Sequence, residues 1–262
     1  MEGPPPFVYA PVELQGGGVS VAACCSVENT LLESEVEIGS GVCVDPTGLV
    51  LTAGHVAPEV GCFRVVAFSD GVTFWGETIA VSEEYDLALL KLHTNTDTHD
   101  MALVKKKTTK KTKKKTKTKT KRKRTKAATF PFAELNDGPP VVKDKLLCVG
   151  QPGRPRGERL ELTSGKVEAV IKDPLSRQDN VDTDGGLVHS CPTFAGNSGS
   201  ALLLARNGRL VGIHTGYNCM RFSYQGTTFE AIRAFLAPLI ASSTPAMTSD
   251  VDTIKNSKKK CF

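Results

Sequence analysis

Three residue types that can form a nucleophilic triad occur in short segments of this 262-residue sequence. His55 ends the run Leu-Thr-Ala-Gly-His, Asp86 precedes the apolar run Leu-Ala-Leu-Leu, and Ser198 lies in Gly-Asn-Ser-Gly-Ser. A serine hydroxyl is a weak nucleophile at neutral pH and needs an adjacent base. We therefore predict Ser198 as the nucleophile, His55 as its general base, and Asp86 as the carboxylate that orients and stabilises the imidazole.

Glycines on both sides of Asn197-Ser198 permit a tight backbone turn. We expect this turn to direct the amides of Gly196 and Ser198 at one point, where they would stabilise an oxyanion. Each segment alone also has an ordinary interpretation as a packed histidine, a turn-forming aspartate or a polar loop. The presence of all three beside predicted strands favours catalysis. Three other histidines lack this context and are predicted to be structural or surface residues: His93, His99 and His189.

The charge is divided between an acidic body and a basic tract. Lys and Arg number 33 and Asp and Glu 28, which gives a net charge of +5. Fifteen basic residues and no acidic residue lie in Lys105–Lys126, so the rest of the chain holds 18 basic against 28 acidic residues. A basic folded domain for nucleic acid is therefore not expected. The tract has no apolar anchor and is predicted to be a disordered surface insert at 105–126. Nuclear targeting or contact with a polyanion, either nucleic acid or acidic lipid, is the alternative.

The sequence shows no sign of membrane insertion or export. Its longest apolar runs, such as Leu87–Leu90 and Ala201–Ala205, are far shorter than the roughly 18 residues that a membrane span needs. The N-terminal segment Met-Glu-Gly-Pro-Pro-Pro places an acid and prolines where a signal peptide has positive charge and an apolar core. Eight cysteines are too few for a disulfide scaffold of this length. We expect reduced thiols and an intracellular location, cytoplasmic or nuclear.

Short β-rich runs separated by turn signals divide the chain into two units. Residues 1–35 are predicted to be an N-terminal arm and first strand region, 36–140 the first β unit, 141–240 the second, and 241–262 a polar, Lys-rich tail. Helical periodicity occurs only over 229–240 and predicts a C-terminal helix. The predicted strands are Gly41–Val44, Leu49–Ala53, Phe63–Phe68, Thr73–Val81, Leu87–Leu92, Lys145–Val149, Glu161–Ile171, Gly186–Ser190, Ser200–Leu204, Leu210–Thr215 and Tyr224–Phe229.

Five segments occur in an order that resembles trypsin-like (chymotrypsin-fold) serine proteases over roughly residues 36–240. They are GSGVCVDPTGLVLTAGHVA, YDLALLKL, VGQPG, SGKVEAV and GNSGSALLLARNGRLVGIHTG. Their style is closest to the HtrA-like and glutamyl-endopeptidase branches. The resemblance implies an all-β fold of two six-stranded antiparallel barrels of chymotrypsin type with a C-terminal α-helix. It also implies a serine endopeptidase that cleaves proteins or peptides through an acyl-enzyme, with no metal or organic cofactor.

The sequence departs from trypsins at the position next to the nucleophile. Asn197 stands where trypsins carry the aspartate that pairs with a cleaved N-terminus, and the Ile-Val-Gly-Gly activation sequence is missing. The resemblance therefore implies no trypsin-style zymogen switch. It also suggests that the hydroxyl of Thr215 supports Asp86.

The resemblance places Pro192, Thr193 and the segment His214-Thr215-Gly216 at the substrate-binding site. The backbone of this segment would pair with substrate as an added β-strand. No acidic residue occupies these positions, so a Lys or Arg side chain would be buried without a partner. His214 and Thr193 can donate to a carboxylate or carboxamide, and we expect a preference for Glu or Gln before the cut. If His214 is only a packed strand residue, the pocket would instead take small apolar side chains.

A second function class stays open from the sequence alone. The chain could be a catalytically silent trypsin-like fold that acts as a binding, nucleic-acid or chromatin-tethering protein through the Lys-rich tract. A protein without catalysis has no physical need for His55, Asp86, Ser198 and the two glycines that flank Asn197-Ser198 together. The enzyme interpretation is therefore preferred.

Overall fold

The computed structural model describes residues 21–28, 38–93, 129–151, 160–171, 186–219 and 222–243. These residues form twelve strands, two short 3₁₀ turns and one α-helix. The basic tract at 105–126, His99 and most of the N-terminal arm and C-terminal tail lie outside the described residues. With 15 residues, the one α-helix in the described part of the chain is too short to cross a membrane.

Six antiparallel strands close the first barrel, in the order β1-β2-β3-β6-β5-β4. Closure pairs every strand on both sides, so the barrel has no open edge. β6 is buried along most of its length, which explains its nearly continuous apolar sequence. The strands are β1 (Cys24–Glu28), β2 (Ile38–Asp45), β3 (Leu49–Ala53), β4 (Phe63–Phe68), β5 (Thr73–Ser82) and β6 (Leu87–His93).

The second barrel is closed by the next six strands in the order β10-β11-β12-β9-β8-β7. The helix α1 (Phe229–Ser243) follows it, with Phe229, Ile232 and Leu236 buried. The strands are β7 (Lys145–Gly150), β8 (Glu161–Val170), β9 (Leu187–His189), β10 (Ala201–Leu204), β11 (Leu210–Asn218) and β12 (Ser223–Thr227). The predicted all-β architecture of two six-stranded antiparallel barrels with a C-terminal helix is thereby confirmed.

A shared apolar core holds the two barrels together. One cluster of buried side chains runs from Val27 and Leu51 in the first barrel through Leu147 and Ile213 in the second to Leu236 in α1. The segment between the barrels is tied to both, because the amide of Ala133 donates to Cys43 and the amide of Leu210 donates to Glu134. Loops at the barrel junction are therefore held at fixed positions relative to each other.

All eleven predicted strands overlap observed strands, and the differences are local. β1 was expected only as part of a first strand region, since its Cys-Cys-Ser-Val-Glu sequence shows little alternation. It is buried along its whole length, which removes the alternating pattern. The helix contains Pro238 and ends at Ser243, three residues beyond the predicted end at 240.

Candidate active site

His55 and Asp86 are joined at the end of the first barrel. His55 lies in the 3₁₀ turn Gly54–Val56 after β3, and Asp86 lies in the turn before β6. β3 and β6 are paired with Ala53 opposite Leu87, so the register brings the two turns together. His55 Nδ1 is 2.8 Å from Asp86 Oδ2 and 3.1 Å from Oδ1. The backbone amide of His55 donates to the same Oδ1 at 2.9 Å.

These contacts determine which imidazole nitrogen can act as a base. Burial raises the pKa of Asp86, but hydrogen bonds and charge from His55, with backbone bonds from His55 and Gly54, outweigh burial and lower it. The carboxylate is therefore ionised at neutral pH and can only accept. His55 Nδ1 must carry the proton in this pair, which leaves Nε2 as the basic nitrogen. Asp86 has a φ of 48°, a left-handed conformation that aspartate tolerates better than most residues.

Ser198 lies in the loop between β9 and β10, where two glycines adopt left-handed conformations. Gly196 has a φ of 93° and Gly199 a φ of 90°. A side chain at Gly199 would collide with the Ser40 carbonyl and the Thr52 hydroxyl, so only glycine fits there. The Gly199 amide donates to the His214 carbonyl at 2.7 Å, and the Ser40 amide donates to the Ser198 carbonyl at 2.7 Å. The loop is thus hydrogen-bonded to both barrels.

The predicted oxyanion donors, the amides of Gly196 and Ser198, belong to this loop. Ser198 Oγ is 3.4 Å from the Thr215 carbonyl oxygen. Within the described part of the chain, neither the Gly196 amide nor the Ser198 amide donates to a protein acceptor. Neither amide is therefore committed to an acceptor within the described structure, as an oxyanion donor requires.

A cavity of about 360 Å³ adjoins Ser198. It is lined by Thr193, His214 and Gly216, which sequence analysis predicted, but Pro192 and Thr215 are not among its lining residues. Sequence analysis missed three aromatic side chains that line it, Phe194, Tyr217 and Tyr224. Phe194 and Tyr217 are about half exposed, whereas the ring of Tyr224 contacts Tyr217 with centroids 5.0 Å apart. No sequence motif marks these positions. Tyr217 and Tyr224 become neighbours only when β11 pairs with β12, and Phe194 lies in the loop between β9 and β10.

A second buried histidine, His189, contacts the ring of His214. His189 Nε2 lies 3.1 Å from His214 Nδ1, and both side chains are almost completely buried. His189 also stacks on Tyr224, with ring centroids 5.8 Å apart. The expectation that His189 is structural or on the surface thus needs refinement, because it is a core residue in direct contact with a pocket residue. The register of β9 with β12, which pairs His189 with Tyr224, produces this contact.

The two histidines are neutral at physiological pH. Burial lowers the pKa of His214 to about 4, aided by the charge of His55 and opposed by the backbone of Gln225. Burial and the neighbouring charge of His214 lower the pKa of His189 to about 3. The pocket therefore presents an imidazole that can donate or accept a hydrogen bond but carries no charge of its own.

Other predicted features are placed as follows. Thr215 makes no hydrogen bond to Asp86 in the described structure, and backbone amides support the carboxylate instead. His93 pairs with Glu77 at 3.0 Å on the first barrel, away from the cavity. The seven cysteines among the described residues are all free thiols, and no cluster of acidic, His or Cys side chains there is arranged to hold a metal ion.

Comparison with known proteins identifies the family. No curated protein sequence is significantly similar to this chain. The crystal structure of the serine endoprotease from Yersinia pestis matches 85% of the chain with a TM-score of 0.57 at 20% sequence identity, which shows a shared fold. The chain spans 64% of the length of that Yersinia protein. A family model described as the trypsin-like peptidase domain matches residues 39–213, more than half of the sequence. The chain belongs to the trypsin-like peptidase family.

Proposed function

We propose that this protein is a serine endopeptidase with Ser198, His55 and Asp86 as its catalytic residues. The observations that carry the proposal are the pairing of His55 Nδ1 with an ionised Asp86 at 2.8 Å and the position of Ser198 in the wall of a cavity. This pairing directs the basic Nε2 of the imidazole away from the carboxylate, as a general base requires.

The proposed reaction uses these groups in the following order. Ser198 Oγ attacks the scissile carbonyl carbon while His55 Nε2 accepts the hydroxyl proton. The carbonyl oxygen becomes an oxyanion, which the amides of Gly196 and Ser198 stabilise. His55 then protonates the leaving amine, and a water molecule activated by the same nitrogen hydrolyses the Ser198 ester. Asp86 keeps its negative charge throughout and stabilises the imidazolium.

Peptide substrate would bind along the His214-Thr215-Gly216 backbone. The pairing of β11 with β12 shifts register between His214 and Gly216, so Thr215 is a bulged residue. A bulge leaves backbone groups outside the strand ladder, where a substrate strand can use them. Main-chain pairing of this kind binds peptides with little demand on their sequence.

A covalent serine probe tests the catalytic proposal. A fluorophosphonate should label the parent protein and leave Ser198→Ala unlabelled, and peptide hydrolysis by Ser198→Ala should fall by about 10⁴-fold or more. The matched control is Ser26→Ala, which removes a different buried hydroxyl, on β1. Hydrolysis by Ser198→Ala within tenfold of the parent would contradict the assignment.

We further propose that the pocket selects Glu or Gln before the scissile bond. His214 lines the pocket, and His189 occupies its Nδ1, so Nε2 is the atom left for a substrate side chain. Thr193 adds a hydroxyl to the same cavity. A hydrogen bond to a charged group contributes about 1.5–3 kcal/mol, enough for a tenfold preference.

Neutral histidines give this proposal a distinctive pH dependence. A Gln side chain needs only one hydrogen bond from the neutral ring of His214. The KM of a substrate with Gln before the cut should therefore not depend on the protonation of the two histidines. A Glu carboxylate favours the protonated ring and raises the low pKa of His214, so cleavage after Glu should gain on cleavage after Gln as the pH falls from 8 to 5. The ratio of kcat/KM for the Glu substrate to kcat/KM for the Gln substrate removes the pH dependence of the catalytic step, because that step is the same for both substrates.

The assay compares kcat/KM for peptides that differ only in having Glu, Gln, Val or Ala before the cut. Glu or Gln should exceed Val or Ala by tenfold or more, and His214→Val should abolish this ratio while cleavage after Ala continues. His93→Val, on the first barrel, is the matched control. A profile dominated by Val, Ala or Leu that is unchanged in His214→Val would leave the catalytic residues in place and refute the Glu or Gln preference.

A further inference from the structure

A serine of the first barrel is hydrogen-bonded to the loop that carries Ser198. Ser40, on β2, is completely buried. Its hydroxyl donates to the carbonyl oxygen of Gly196 at 2.9 Å, across 156 positions of the sequence. The hydroxyl oxygen of Ser40 in turn accepts a hydrogen bond from the amide of Gln151 at 2.9 Å. Because Gln151 supplies a donor from one side, the single hydroxyl proton of Ser40 is directed to Gly196.

The contact fixes one peptide plane of the loop at both ends. The carbonyl of Gly196 accepts from Ser40, while the amide of the same peptide unit, on Asn197, donates to the Phe194 carbonyl at 3.0 Å. The amide of Gly196 is connected to this fixed plane through the Gly196 α-carbon, with a φ of 93°. Fixing the plane therefore limits the directions in which the Gly196 amide can point.

The side chain of Asn197 is held by a neutral hydrogen bond rather than an ion pair. Its Oδ1 accepts from Ser200 Oγ at 3.0 Å, and the Asn197 side chain is almost completely buried. The amide of Ser40 also donates to the Ser198 carbonyl at 2.7 Å. Neutral hydrogen bonds from both barrels thus hold the loop, and none of them requires a free N-terminal amine.

We propose that Ser40 is a positioning residue that preorganises the oxyanion-binding amide of Gly196, and this inference rests on the proposed peptidase function. The amide must already point at the oxyanion position when negative charge develops on the carbonyl oxygen. Ground-state peptide binding uses the pocket and the β11 backbone instead. An interaction that acts only as charge develops affects kcat and leaves KM nearly unchanged.

Ser40→Ala tests this role, because it removes the hydroxyl and keeps the hydrogen bond from the amide of residue 40 to the Ser198 carbonyl. Loss of one direct oxyanion donor costs about 10²- to 10³-fold in kcat, so loss of a residue that positions the donor should cost about 10- to 100-fold. KM should stay within about threefold, and the affinity for a peptide boronic acid, which forms a tetrahedral adduct on Ser198, should fall in parallel with kcat.

Ser26→Ala is the matched control for this experiment. Ser26 pairs with Ser40 across β1 and β2, is equally buried, and its hydroxyl makes no hydrogen bond among the described residues. Its kcat, KM and boronate affinity should equal those of the parent. All rates are divided by the folded fraction, measured by circular dichroism, so that a loss of folding is not read as a loss of catalysis.

The outcomes separate the two proposals. If the parent is active and Ser40→Ala has the same kcat, the role of Ser40 is overturned and the peptidase proposal stays intact. A decrease that disappears after division by the folded fraction, or that occurs equally in Ser26→Ala, also overturns it. A parent that is folded but neither hydrolyses peptides nor reacts with the fluorophosphonate refutes the proposed function, and the role of Ser40 with it.

Discussion

Acidification from pH 7 to pH 5 should destabilise the second barrel through the buried pair His189 and His214. The ordinary pKa of histidine is 6.5, whereas burial lowers the pKa of His214 to about 4 and that of His189 to about 3. Between these values the unfolded chain binds protons that the folded chain does not. The stabilisation from keeping each ring neutral is fully present above pH 6.5 and is lost as the pH falls toward 4.

The size of the effect follows from the shift in pKa. At pH 5 an unfolded histidine is almost fully protonated, while a folded histidine with a pKa of about 4 is mostly neutral. Linkage then gives a loss of about 2 kcal/mol in the free energy of unfolding for each such histidine between pH 7 and pH 5. For a domain of this size, about 2 kcal/mol corresponds to a decrease in Tm of several degrees.

Urea unfolding at pH 7, 6 and 5 measures this loss in the parent and in His189→Gln. Glutamine cannot titrate, yet its amide can still hydrogen-bond to His214 Nδ1. The variant should therefore lose about 2 kcal/mol less than the parent on acidification, whatever its stability at pH 7. His93→Gln, which removes a histidine from the first barrel, is the matched control. An identical pH dependence in His189→Gln and the parent would show that the pair is not held neutral, and the reasoning would fail.

Three further predictions concern the proposed catalytic residues, the basic tract and the loop. Asp86→Asn should lower kcat by about 10⁴-fold, because the amide cannot select the His55 tautomer with Nε2 free; peptide hydrolysis within tenfold of the parent would exclude this role. Deletion of Lys105–Lys126 should leave small-peptide kcat/KM within a few-fold and weaken salt-sensitive binding to heparin or RNA, whereas a collapse of the Tm would show that the tract is structural. Gly199→Ala should reduce the free energy of unfolding by at least about 2 kcal/mol in urea, because alanine is strained at a φ of 90° and collides with the Ser40 carbonyl; an unchanged midpoint would contradict the tight fit.

The strand content and the three chemical motifs were predictable because each depends on neighbours in the sequence. Alternating or continuous apolar runs between Gly and Asp turn signals are local patterns, and β3, for example, has the bounds predicted from its sequence. The segment Gly-Asn-Ser-Gly-Ser likewise predicts a turn with left-handed residues, since only glycine adopts a φ near 90° at low cost. A uniformly buried strand such as β1 has no such local signal, and its position became clear only from its pairing with β2 and β4.

Contacts between distant segments were decided by tertiary structure alone. The sequence determined that a serine, a histidine and an aspartate stand beside strands, and the pairing of β3 with β6 then brought His55 to Asp86. It gave no indication that His189 would lie behind His214, because that contact depends on the register of β9, β11 and β12. Nor could it show that Ser40 reaches Gly196, 156 positions away. The physical reason is that strand register and barrel closure are set by packing over the whole core, and a one-residue shift would reverse the face on which each of these side chains lies.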